Sequence, residues 1–76
     1  MIMAEQSMII RRVGEIARSL ISEEYQIMTN VALPSTYFIK LRHRFNTNCI
    51  SVVGNYEKSI VRMFKNGRLI KEEQIL

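Results

Sequence analysis

Basic and aromatic side chains recur through the second half of the chain at spacings that could gather them on one surface. Cations neutralise phosphates and aromatic rings stack on bases, so this mixture suits single-stranded nucleic acid. A basic surface also suits an acidic patch on another protein. The residue types therefore predict a surface that binds a macromolecule, protein or nucleic acid. Its predicted members are Phe38, Lys40, Arg42, Arg44, Arg62, Phe64 and Lys71.

The positive charge is concentrated in the second part of the chain. The net charge is +4, and residues 31–76 carry eight Lys or Arg against three Glu, whereas residues 1–30 carry three Arg against four Glu. A segregated positive field favours an anionic partner. Two alternatives stay open. Basic residues can serve only to keep a sheet soluble and to discourage edge pairing, or the patch around Phe38, Phe64 and Leu69 can be buried against a second copy of the chain.

The residues that could act as nucleophiles or metal ligands are few. The chain has one histidine, His43, and one cysteine, Cys49, which cannot supply the three or four ligands of a metal site. A cysteine nucleophile needs a base, and His43 could approach Cys49 only if the flanking strands pair in the right register. Gly14, Gly54 and Gly67 are too scattered to form a phosphate-binding loop. The sequence therefore predicts no metal, no cofactor and no enzymatic activity.

An N-terminal helix is the first element expected to position these residues. Apolar side chains recur at helical spacing over residues 5–28, with charged residues on the opposite side. Gly14 interrupts this pattern and either permits close approach of a strand or marks a bend. Pro34 ends the segment, because the residue before a proline is steered away from the helical region. The predicted apolar stripe is Ile9, Val13, Ile16, Leu20 and Ile27, widened by Ile10, Ala17, Ile21 and Met28.

Four strands are predicted to follow. Residues 35–45 alternate, so that Phe38, Lys40, Arg42 and Arg44 share the face opposite the apolar side chains. A second strand covers residues 49–53, and two further strands cover about 57–65 and 68–75. Asn-Gly at residues 66–67 is the preferred pair for a type I′ hairpin turn, in which both residues need a positive φ. A C-terminal helix over residues 68–76 is the alternative.

These elements predict a single α+β domain spanning residues 1–76. The amphipathic helix packs on a four-stranded antiparallel sheet, in the order α-β-β-β-β and in two layers. The two-residue turn would place Arg62 opposite Lys71, a destabilising like-charge pair of the kind that marks functional surfaces. The same register would turn Glu72 toward the helix, opposite Val61, which conflicts with burial of that face.

The expected function is that of a small non-enzymatic interaction module. We expect an adaptor, regulator or inhibitor that binds another protein and forms a homodimer, with nucleic-acid binding through the basic, aromatic-containing sheet face as the alternative. A single cysteine allows no internal disulfide and fits a reducing compartment. No stretch approaches the roughly 20 apolar residues of a membrane span. The expected location is the cytoplasm, without contact to a membrane.

Overall fold

A computed structural model describes residues 4–75. These residues form one helix packed on an antiparallel sheet of five strands, whereas the sequence predicted four. The strands are hydrogen-bonded in chain order, so each pairs with the next and the two edges are the first and last strands. The α+β class and the packing of helix on sheet are confirmed. The elements are α1 (Ala4–Ile21), β1 (Tyr25–Ala32), β2 (Thr36–His43), β3 (Cys49–Asn55), β4 (Ile60–Lys65) and β5 (Arg68–Gln74).

The extra strand, β1, takes up the last four residues of the predicted helix and the four residues that follow it, and the predicted helix was wrong beyond Ile21. Ile27 follows Leu20 by seven positions and so continued the helical stripe in the sequence. The helix ends at Ile21 and a turn follows, in which Glu24 has a φ of 72°, in the left-handed region that a helix cannot continue through. The next eight residues include Tyr, Ile, Thr and Val, which favour a strand, and they form β1.

The apolar stripe of α1 packs on one face of the sheet and contacts β1 through β4. The closest approach is at Gly54 on β3, where an added Cβ would lie 2.3 Å from Cγ2 of Ile9. Gly14, which was expected either to permit close approach of a strand or to mark a bend, has open space around it, so the close approach does not occur there. The shared core consists of Ile9, Val13, Ile16, Ala17 and Leu20 from α1 with Tyr25, Ile39, Leu41, Ile50, Val52 and Val61 from the sheet.

The hairpin of β4 and β5 has the predicted turn but not the predicted register. Asn66 and Gly67 have φ values of 52° and 83°, as a type I′ turn requires, and β5 is a strand, so the alternative C-terminal helix is wrong. A bulge in β5 adds one residue, Ile70, to the ladder. Arg62 consequently lies opposite Glu72 instead of Lys71, and the predicted like-charge pair does not occur.

The remaining strand boundaries differ from the predictions by a few residues. The segment predicted as 35–45 is a strand only from Thr36 to His43, and that predicted as 49–53 extends to Asn55. The strand predicted from residue 57 begins at Ile60, because residues 56–59 form a turn. The side-chain oxygen of Asn55 accepts the Lys58 N–H at 2.9 Å and closes this turn.

Candidate functional site

The face of the sheet opposite α1 has no other element of residues 4–75 packed on it, and we call it the open face. Strand alternation and the pairing register place its residues in rows that run across the strands. One row reads Val31, Phe38, Val53, Arg62 and Glu72. The next row reads Thr29, Lys40, Ser51, Phe64 and Leu69, and a third reads Gln26, Arg42 and Cys49.

Apolar side chains run across the open face from one edge strand to the other. Val31, Phe38 and Val53 lie side by side on the first three strands, while Phe64 and Leu69 are opposed on the last two. The first four are half-buried, and Leu69 is 49% exposed. Because α1 covers the other face, this partial burial comes from neighbours on the sheet itself. The open face therefore presents an apolar patch to its surroundings.

Two exposed cations, Lys40 and Arg42, border this patch at one end. They are two residues apart on β2 and so project from the same face. Their cross-strand neighbours are uncharged: Lys40 lies between Thr29 and Ser51 in the register. A shallow depression of ≈ 440 Å³, the cationic depression, is lined by Met28, Thr29, Lys40, Arg42, Thr47 and Cys49.

The third cation of the open face, Arg62, is paired. Its Nε donates to Oε1 of Glu72 at 2.6 Å, across the β4–β5 ladder. Both side chains are more than 40% exposed, so the pair contributes little to stability, but it offsets the charge of Arg62 locally. The positive charge of the open face therefore rests mainly on Lys40 and Arg42.

The structure brings together five of the seven predicted site residues. Phe38, Lys40, Arg42, Arg62 and Phe64 share the open face, and the other two lie elsewhere. Reasoning from the sequence also missed Val31, which lies between the predicted helix and the first predicted strand, and did not include Val53. The signal for Val53 was its alternation with Val52 in a β-prone run.

Lys71 and Arg44 do not lie on the open face. The bulge at Ile70 shifts Lys71 opposite Met63, on the side that carries α1. Arg44 lies just beyond the end of β2, where its backbone N–H donates to the carbonyl oxygen of Glu24 at 2.8 Å. Its guanidinium carbon is 5.9 Å from the centroid of the neighbouring Phe45 ring.

His43 and Cys49 are on opposite faces of the sheet. Cys49 is paired with Arg42 on the open face, whereas His43 is paired with Tyr25 on the side of α1. Nδ1 of His43 accepts the Phe45 N–H at 3.1 Å, and its ring meets the Tyr25 ring edge-on at 4.9 Å. These two side chains therefore do not form a nucleophile–base pair. Among residues 4–75, no group of three or more His, Cys, Asp or Glu is placed to hold a metal ion.

The bulge at Ile70 also places Glu73 on the side of α1, where it forms the main ion pair between helix and sheet. Nε and Nη2 of Arg12 donate to the two carboxylate oxygens of Glu73 at 2.5 and 3.1 Å. The hydrogen bond from Arg12 lowers the pKa of Glu73 below its ordinary value, and the same bond raises the pKa of Arg12. β5 is thereby linked to the helix through charged groups.

Replacing Glu73 by glutamine is expected to reduce the loss of stability in acid. A carboxylate whose folded pKa is lowered stabilises the fold fully above its unfolded pKa, about 4.3, and loses this contribution as the pH falls through the folded pKa. Because the pair is partly exposed, we expect the free energy of unfolding of Glu73→Gln to be lower than that of the wild type by about 1 kcal/mol or less at neutral pH. Urea unfolding from neutral pH down to about pH 3 measures how this difference changes in acid.

The control is Glu57→Gln in the turn, which should lose stability in acid as the wild type does. A wild-type acid response from Glu73→Gln as well would contradict a lowered pKa.

Comparison with known proteins finds no relative of this chain. No protein-family model matches it, and neither a curated protein nor a solved structure matches it. What the open face binds is therefore inferred from its own chemistry.

Within residues 4–75, the one helix does not have the length and the apolar composition of a membrane-spanning segment.

Proposed function

We propose that this protein is a small non-enzymatic interaction module, an adaptor, regulator or inhibitor, that binds another protein through the open face. One observation carries the proposal: the open face presents Phe38, Val53 and Phe64 outward while α1 packs on the opposite side. Contiguous apolar surface bordered by polar groups is typical of binding sites in small proteins. A module of this kind works in the cytoplasm, where its single cysteine remains a thiol.

The chemistry of the open face indicates what the partner surface looks like. The two phenylalanines are the anchors, because a few residues carry most of the binding energy at protein interfaces and aromatic side chains are enriched there. Lys40 and Arg42 favour acidic groups at the matching border of the partner and accelerate its approach. The partner is therefore a protein with an apolar centre and an acidic margin on one side.

Nucleic acid is the less favoured partner. That alternative depended on five cations beside the aromatic rings, but only three lie on the open face, and Arg62 is paired with Glu72. Each phosphate contact needs a cation of its own to release counterions. Within the described residues, Lys40 and Arg42 are the two unpaired cations of the open face and can make only few such contacts, which favours a protein partner.

Replacing Phe38 by aspartate is expected to weaken partner binding by about 30-fold or more, the effect of losing an interface anchor. The measurement is affinity capture by tagged protein from a lysate of the organism that encodes it, followed by titration with the captured protein. Phe45→Asp is the matched control, because Phe45 is 75% exposed but lies in the loop after β2, against His43. It should bind as the wild type does.

The outcomes separate the candidate partners. Thermal unfolding must first show that both aspartate variants are folded, and capture unchanged by Phe38→Asp then contradicts the proposal. Excess absorbance at 260 nm in the purified protein, with binding that weakens steeply in salt and is lost in the double variant Lys40→Glu, Arg42→Glu, would assign the open face to nucleic acid instead.

A further inference from the structure

The two edges of the sheet differ in how they are protected. β5 carries Arg68, Lys71, Glu72 and Glu73, the kind of charged side chain that discourages strand pairing. β1 is eight residues long and contains no charged residue and no proline. In the described part of the chain, residues 4–75, it has a neighbouring strand on one side only. An uncharged edge of this length is a template for another strand.

The hydrogen bonds at the two ends of β1 show which of its backbone groups point outward. Leu33 N–H donates to Thr36 O at 2.7 Å, and Arg44 N–H donates to Glu24 O at 2.8 Å. In an antiparallel ladder, residues bonded to the neighbour alternate with residues whose N–H and C=O point away from it. Counting inward from both ends gives the outward-pointing residues as Tyr25, Ile27, Asn30 and Ala32.

The irregularity in β1 makes this edge complementary to itself. Pairing with β2 shifts by one residue between Ile27 and Thr29, so Met28 is additional. The outward-pointing residues are therefore spaced by two, three and two, a pattern that reads the same in both directions. In a regular partner strand, the residues that point toward β1 would be spaced by two throughout, so they would no longer match the outward-pointing residues of β1 beyond Met28. A second copy in antiparallel orientation carries the same irregularity at the same place.

We propose that two copies of this chain pair through β1, antiparallel, with Ile27 opposite Asn30 of the second copy and Tyr25 opposite Ala32 of the second copy. Each of the four outward-pointing residues of one copy then lies opposite an outward-pointing residue of the other copy, so that their N–H and C=O groups can pair. Residues opposed in an antiparallel ladder lie on the same face, so both helices lie on one side of a sheet that has five strands from each copy. The two open faces lie together on the other side, and no like charges meet across the junction.

This dimer is independent of the proposed function and differs from a dimer formed through Phe38 and Phe64. It leaves both of those side chains free for a partner and doubles the area that the open face presents. Light scattering on Phe38→Asp tests the difference, because that variant should keep the dimer mass while losing the partner.

The register is tested by cross-linking in a Cys49→Ser background. Ile27→Cys and Asn30→Cys are made as separate variants, at positions that are both exposed. Opposed residues have Cα atoms about 5.5 Å apart, within reach of a disulfide. Identical positions in the two copies are offset by three residues, roughly 10 Å, which is too far. Oxidation should therefore give a covalent dimer when the two variants are mixed, and not from either alone. The register would be overturned if the mixture gave no cross-link, or if either variant alone cross-linked as much as the mixture.

The mass in solution tests the dimer itself. Wild-type protein should scatter light as a dimer over a dilution series, and Ile27→Lys should halve that mass because a charge on an edge opposes pairing. Asn30→Pro removes an outward-pointing N–H and should also halve it, whereas Asn30→Ala should not. Circular dichroism identifies any variant that fails to fold. A monomeric wild type, or dimer mass retained in both folded Ile27→Lys and Asn30→Pro, would overturn the proposal.

Discussion

Replacing Gly54 with alanine is expected to lower the free energy of unfolding by about 1–3 kcal/mol, the usual cost of overpacking a core. The new Cβ would lie 2.3 Å from Cγ2 of Ile9 and 3.0 Å from Cγ2 of Val13, so α1 or β3 must move. Urea unfolding measures the change. In a double-mutant cycle, Ile9→Ala removes the clashing methyl group and should make the combined cost smaller than the sum of the two.

The control for this variant is Gly14→Ala, which makes the same chemical change within α1. An added Cβ at Gly14 meets nothing within 4 Å, and alanine is favoured over glycine inside a helix by about 1 kcal/mol. We therefore expect Gly14→Ala to raise the free energy of unfolding. Destabilisation by Gly14→Ala together with no effect of Gly54→Ala would contradict the close approach of α1 to β3.

Replacing Leu41 with alanine is expected to destabilise the fold by about 2–5 kcal/mol. Leu41 is 0% exposed and lies on the face of β2 that packs against α1. Truncation removes buried methyl groups and leaves a cavity beneath the helix, and a chain of this size has little stability to lose. Urea unfolding or a thermal melt monitored by circular dichroism measures the loss.

Leu69→Ala is the matched control, because it makes the same truncation on the open face. Leu69 is 49% exposed and lies opposite Phe64. We expect a cost below about 1 kcal/mol, as for most substitutions away from the core. A cost equal to that of Leu41→Ala would mean that the open face is covered in solution, and the two-layer description would then be wrong for that assembly.

Local periodic patterns predicted much of this fold. The alternation around Ile39 and Leu41 predicted β2, and the buried positions of α1 follow the stripe that includes Ile9 and Val13. Asn66-Gly67 predicted its turn, because few residue pairs tolerate a positive φ at both positions. Each of these signals depends on residues within one element, so it can be recognised without knowing what that element contacts.

Features that depend on pairing between elements were missed. Ile27 continued the helical stripe, and nothing local showed that it would pair with Leu41 in a sheet. The bulge at Ile70 moved Lys71 to the other face, because a shift of one residue reverses the side to which a strand residue points. The sequence therefore predicted which part of the chain carries the candidate site, while tertiary pairing decided which cations belong to it.

Methyl-group NMR of the complex with the captured partner tests the central claim most directly, because it reports which face of the sheet is covered on binding. Val53 and Val52 are adjacent on β3 and point to opposite faces, as do Leu69 and Leu41 on their strands. If the open face is the binding surface, the methyl resonances of Val53 and Leu69 should shift and become protected from solvent on binding. Those of Val52 and Leu41 should change little. Shifts confined to the side of α1, with Val53 and Leu69 unperturbed, would contradict it.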